Sequence, residues 1–334
     1  MRTTLRGNPV VAAPGKLFLV GEYVVLEGGT AVVAAIDRHA AGEFMPGLDP
    51  GSPLVAEAVR VTAAALGDKA GALPGGSVWV ESGAFAAGGR KLGLGSSAAT
   101  AACSVGAVLE MAGLPVASHR DLVFSLAESA HRAWQGGVGS GADVAAAVYG
   151  GLLQFTRPGG GTPVVTALPD ALASLELVVF SARAAASTAQ QIGGVRAFAQ
   201  RSPAAYASAM AALREATDRF LESMALRRPR ETIAATRQVG RALAELGRAA
   251  DVPIVTPAFE RAAGLAAELG GAAKPSGAGG GDVGVALFPD HAAARAFAAR
   301  VADTENTAEA ERVDILELAI DHVGVHRRGA GTAE

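Results

Sequence analysis

The segment Lys91-Leu92-Gly93-Leu94-Gly95-Ser96-Ser97-Ala98-Ala99 runs from a glycine-rich turn straight into a helix opening on serines and alanines. A chain with this junction must set a helix N-terminus, bare of bulky side chains, at the end of a tight turn. Free backbone N–H groups gather there with the positive end of the helix dipole, which suits a phosphate. A capped helix behind a flexible loop would read the same way. So would a dinucleotide-binding fingerprint, because Gly93-x-Gly95-x-x-Ala98 matches its spacing. That fingerprint needs a strand just before the glycines, where Gly88-Gly89-Arg90-Lys91 intervenes, and an acidic residue ending a later strand, whereas Glu110 lies in the same helix. The Walker pattern is absent: Gly15-Lys16 is followed by leucine, not Ser or Thr.

Composition narrows the function classes. With 334 residues, 50% of them hydrophobic, and a net charge of −3, the chain is core-rich and reads as neither disordered nor a general nucleic-acid binder. The length fits two domains or one large one. The one cysteine, Cys103, reads as buried apolar filler; it cannot form an internal disulfide, and a reducing cytoplasm is the expected compartment. No apolar run approaches a membrane span, no signal peptide opens the chain, and the six histidines lack cysteine partners for zinc. Of the 29 basic residues all are arginine except Lys16, Lys69, Lys91 and Lys274. Ammonium and guanidinium are not interchangeable at a phosphate or a pKa-sensitive position. Lys16, Lys91 and Lys274 stand beside glycine-rich segments and are therefore site candidates.

Periodicity and punctuation predict strands at 17–20, 23–26, 31–36, 77–81, 175–180 and 283–288. Helices are predicted at 53–66, 96–112, 118–134, 186–200, 203–225, 230–248 and 257–269, several opened by proline. Arg157-Pro158-Gly159-Gly160-Gly161 is the most linker-like stretch, so a domain boundary is expected there, dividing the chain into 1–157 and 158–334.

Three more clusters accompany the 91–99 segment. Ala13-Pro14-Gly15-Lys16 precedes a strand and is followed by Gly21-Glu22-Tyr23. Gly139-Ser140-Gly141-Ala142-Asp143 can either cap a helix or project its carboxylate into a cleft. Lys274-Pro275-Ser276-Gly277-Ala278-Gly279-Gly280-Gly281-Asp282 offers an unbroken run of small residues that lets a ligand approach the backbone.

Taken together, these segments resemble the GHMP kinase superfamily: Pro14-Gly15-Lys16 resembles its first motif, residues 93–99 its phosphate-binding loop, and residues 274–281 its third motif. Residues 21–28, residues 139–147, Ala186-Ser187-Thr188 and Gly279-Gly280-Gly281-Asp282 resemble the phosphomevalonate kinase branch. The branch often carries Gly-Lys where this chain has Ala182-Arg183, a departure at the acceptor contacts for which Arg183 could serve. The resemblance implies an α+β, two-domain fold with the active site in the cleft between domains. It implies an ATP- and Mg²⁺-dependent kinase of isoprenoid precursor synthesis acting on 5-phosphomevalonate, with mevalonate or a sugar as the alternative acceptor. It also implies a small-molecule partner and neither nucleic acid nor membrane. By the same resemblance Lys16 and Asp143 are catalytic, and Lys91, Gly93, Leu94, Gly95, Ser96, Ser97 and Ala98 hold ATP. Ser96 or Ser97 faces Mg²⁺. Lys16, Tyr23, Ser140, Arg183, Ser187, Thr188, Gly279, Gly280 and Asp282 bind the acceptor. Mevalonate kinases add a helix glutamate on the metal. Here the nearest carboxylate is Glu128, while the position most like it holds His131 or Arg132.

Overall fold

A computed structural model describes residues 8–68, 73–169, 171–182, 188–302 and 307–329. Strands β1 (Val10–Val20) and β2 (Thr30–Pro46) form a long antiparallel pair, followed by α1 (Pro53–Leu66) and β3 (Gly76–Glu81). Ser52 caps α1 with its side chain, accepting from Val55 N–H at 3.3 Å, and Pro53 takes a position where no N–H is missed. A hairpin of β4 (Ala86–Ala87) and β5 (Arg90–Lys91) leads to α2 (Ser96–Met111), α3 (Arg120–Trp134) and α4 (Ala142–Tyr149). Strands β6 (Leu152–Thr156) and β7 (Val164–Ala167) follow, then β8 (Glu176–Ala182) and the helices α5 (Thr188–Arg201), α6 (Pro203–Ala225), α7 (Pro229–Ala250) and α8 (Pro257–Glu268). The chain closes with β9 (Ala272–Pro275), β10 (Val283–Phe288), α9 (His291–Ala302), β11 (Val313–Leu316) and β12 (His326–Arg327).

The first sheet has the order β12-β1-β2-β6-β7, with β3 also paired to β2; the second has the order β11-β8-β10-β9. The expected boundary at 157/158 falls between β6 and β7, neighbours in the first sheet, and β12 returns to that sheet from the far end of the sequence. Helices α2 and α4 pack on β1 and β2, while α7, α8 and α9 pack on the second sheet. Strand β10 shows why its sequence is apolar throughout. Val283, Val285 and Leu287 enter the main core, while Ala286 and Phe288 enter a second cluster with Phe259 and Phe297 of α8 and α9. A strand covered on both faces carries no polar alternation. Among the described residues no helix is long and apolar enough to cross a membrane.

The residues predicted as a strand at 23–26 instead form a 3-10 turn, Val24–Glu27, entered through Tyr23 at φ 61° and left through Gly28 at φ 79°. Short apolar runs do not distinguish strand from turn by periodicity. Strand β2 is longer than predicted because a register shift lets it pass its polar residues: Pro14 pairs with His39 while Gly15 pairs with Ile36. This irregularity, which leaves Asp37 and Arg38 of β2 as extra residues, lies next to Lys16. Such bulges bend a strand and re-aim its side chains.

Candidate active site

The β1 strand brings Lys16 to the 93–95 turn by direct backbone contact. Lys16 N–H donates to Leu94 O at 2.8 Å, and a Cβ on Gly15 would lie 2.5 Å from that same oxygen. Only glycine lets the turn approach this closely. Gly95 is the N-cap of α2, at φ 83° and with no side-chain cap, so the first N–H groups of the helix are left for other acceptors. The Lys16 stem lies against it: a Cβ on Gly95 would come within 2.7 Å of Lys16 Cγ.

The Lys16 ammonium donates to Gly93 O at 3.2 Å and sits 5.5 Å from the Phe18 ring centroid. It also lies beside Gly277, whose Cβ would be 3.5 Å from Nζ. Burial pushes its pKa below the ordinary lysine value, and the carboxylates of Asp143, Asp282 and Glu22 pull it back up. Asp282 packs on the other side of the turn, its Cβ 2.6 Å from where a Gly93 Cβ would stand. Asp143, in the first turn of α4, accepts from Val144 N–H at 3.0 Å. Thus the turn, Lys16, Asp143 and Asp282 form one cluster where the two sheets meet.

The other predicted site residues divide. Ser97 Oγ lies 2.9 Å from Nε2 of His131, a residue of α3 that is only 2% exposed, and the same nitrogen is 3.9 Å from Asp143 Oδ2. Ser96 opens α2 beside it, partly exposed. The Leu94 and Ala98 side chains are core, so those two residues can offer a ligand only their backbone. Lys91 stands exposed on the hairpin before the turn. Ser140 Oγ accepts from Ala142 N–H at 3.3 Å, and the Tyr23 hydroxyl donates to Ala278 O at 2.7 Å. Gly280 N–H donates to Ile254 O at 3.0 Å, and Gly279 is pressed against the same carbonyl, so both face protein. Thr188 is exposed at the start of α5; Arg183 and Ser187 lie outside the described residues. Glu128 is engaged by Arg157 at 2.9 Å and Arg132 at 3.8 Å.

The models for the GHMP kinases N terminal domain and for GHMP kinases C terminal match residues 53–151 and 232–306. The chain belongs to the GHMP kinases. As a GHMP kinase it is a phosphotransferase, and the family implies use of ATP. It is 28% identical to a phosphomevalonate kinase from Streptomyces sp. (strain CL190), over 86% of this chain and 91% of that protein. The fold resembles that of the Lin0012 protein from Listeria innocua, with a TM-score of 0.84 and 22% identity over 96% of this chain and 99% of the other. It also resembles Streptococcus pneumoniae phosphomevalonate kinase in complex with phosphomevalonate and AMPPNP, with a TM-score of 0.77 and 20% identity over 93% and 99% of the two chains.

Sequence reasoning left three polar side chains of this GHMP kinase without a role. The sequence offers His131 only as one of two residues at the position most like the glutamate of mevalonate kinases, and its neighbours Ser97 and Asp143 come from the structure. Glu22 was visible only as part of a cluster. Lys274, singled out by the scarcity of lysine, is fully buried and paired with Glu22.

Proposed function

We propose that this chain transfers the γ-phosphoryl group of ATP to the phosphate of 5-phosphomevalonate, giving 5-diphosphomevalonate and ADP. The observation that carries the reading is the Lys16 ammonium, held between an uncapped helix N-terminus and the carboxylates of Asp143 and Asp282. Phosphoryl transfer depends on positioning and charge neutralisation more than on covalent chemistry of the protein. The backbone of residues 95–98 would receive the ATP phosphates. Lys16 would lie between donor and acceptor, where it screens the repulsion of two anions. The Streptomyces relative and the pneumococcal complex support phosphomevalonate as the acceptor, as do the branch marks at residues 21–28 and 139–147.

Magnesium takes oxygen ligands and keeps several waters while bridging substrate phosphates. Among the described residues no group of three or more His, Cys, Asp or Glu forms a ready cage. Hydroxyl oxygens at Ser96 and Ser97 fit a cation that arrives on the triphosphate. Bound there, Mg²⁺ would neutralise charge on the phosphate oxygens. His131 would fix the Ser97 hydroxyl from behind.

A phosphate monoester has its second pKa near ~6 and is mostly dianionic at neutral pH. Asp143 then has little proton to remove, and its work would be orienting Lys16. Asp143→Asn is expected to lower kcat by no more than about 10²-fold, with the pH profile keeping its shape. A far larger loss that tracks a carboxylate ionisation would indicate an alcohol acceptor instead. The direct test is ADP release with phosphomevalonate, mevalonate and a panel of sugars. Phosphomevalonate should lead in kcat/KM by roughly 10²-fold or more. A lead by mevalonate or a sugar refutes the assignment.

A further inference from the structure

Glu22 and Lys274 are 2% and 1% exposed and form an ion pair between the turn after β1 and strand β9. Lys274 Nζ also donates to Pro275 O at 2.9 Å. Glu22 Oε2 is buried with no hydrogen-bond partner among the described residues. Two further bonds join the same segments: Phe18 N–H donates to Ser276 Oγ at 2.8 Å, and the Tyr23 hydroxyl donates to Ala278 O at 2.7 Å. Tyr23 holds φ at 61°, outside the comfortable range of a side-chain-bearing residue, and its turn carries Glu22.

Stability alone does not account for this pair. Removing two charges from water is expensive, and an apolar pair of similar volume is often as stable or more so. What the pair supplies is registry. It ties a residue of the first sheet's turn to the strand leading into the 276–281 glycine run, and Gly277 of that run lies beside the Lys16 ammonium, which a Cβ there would approach to 3.5 Å. We propose that Glu22 and Lys274 are positioning residues for phosphoryl transfer, their buried ion pair fixing the glycine run against the Lys16 ammonium. Neither residue touches substrate; both act through the placement of Gly277 and Lys16. The inference rests on the reading that Lys16 meets the transferred group, but not on which acceptor is used.

The test uses the full chain and the acceptor that parent enzyme prefers. Glu22→Gln or Lys274→Met alone strands a buried polar group or charge and should lower the thermal midpoint. The double variant E22Q/K274M removes both charges and should return most of that midpoint. Its kcat is expected to stay about 10²-fold below parent, as for a misplacement near 1 Å, with affinity for an ATP analogue little changed. Parental midpoint together with parental kcat would overturn the proposal. Should the double variant not fold, Glu22→Asp keeps the charge and withdraws it by one methylene. A folded Glu22→Asp enzyme should show the same loss in kcat, and full activity would again overturn the proposal. Lys16→Met keeps the two ideas apart. Activity surviving that change removes the reading of Lys16, whereas activity lost there but intact in the double variant removes only the positioning role.

Discussion

Lys16→Met is expected to lower kcat by about 10³-fold or more while leaving the fold intact, as judged by circular dichroism and thermal midpoint. Methionine keeps the unbranched stem that packs on Gly95 but deletes the ammonium beside Gly93 O and Gly277. The loss should appear in kcat more than in ATP affinity, because the charge is needed most while the phosphoryl group is in flight. A second signature follows from burial. Desolvation lowers the Lys16 pKa, only partly offset by Asp143, Asp282 and Glu22, so deprotonation should begin below the ~10.4 of an ordinary lysine. Activity should then fall on the alkaline side below that value. In Lys16→Arg any residual activity should lack this limb, because guanidinium stays protonated. An alkaline limb unchanged in the arginine variant would show that another group titrates.

Gly95→Ala should be the second most damaging change. Alanine at φ 83° is disfavoured by about 1–2 kcal/mol, and its methyl would meet Lys16 Cγ at 2.7 Å. The turn and the lysine cannot both keep their places, so kcat/KM for ATP is expected to drop by about 10²-fold. Gly89→Ala separates strain from collision. Gly89 also has positive φ, at 75°, but nothing lies within 4 Å of its would-be Cβ. That variant should lose a little stability and almost no activity. Equal damage from both substitutions, measured in the same assay, would mean that the contact with Lys16 is irrelevant.

Much of the local structure was legible because its signals are local. Ser52-Pro53 and Gly67 bracket a helix whose bounds, Pro53–Leu66, match the expectation. The prolines at 203, 229 and 257 each open a helix where punctuation placed one. Strand β9 was missed because Ala272-Ala273 has little strand preference and becomes a strand through its pairing with β10 under α7 and α8. Helix α9 was missed too. The site divides in the same way. Glycines before a helix announce a phosphate loop within nine residues of sequence. The bond between Ser97 and His131 spans 34 positions and that between Glu22 and Lys274 spans 252, and no periodicity encodes either. The sequence places Tyr23, Gly279 and Gly280 at a ligand, whereas in the structure Tyr23 and Gly280 bond to backbone carbonyls and Gly279 packs on one of them. Small or polar residues that brace a loop carry the same letters as those that line a pocket.

The return of the chain to its first sheet sets the order in which the molecule can be completed. Asp321 N–H donates to Ala35 O, Val325 N–H donates to Val148 O, and β12 borders β1 through Val11 and Ala12. During synthesis these residues leave the ribosome after every other strand of the first sheet, so the strand carrying Lys16 waits with one flank open. A nascent chain can build its helices early, but the strand carrying Lys16 acquires this neighbour only after residue 327 has been made.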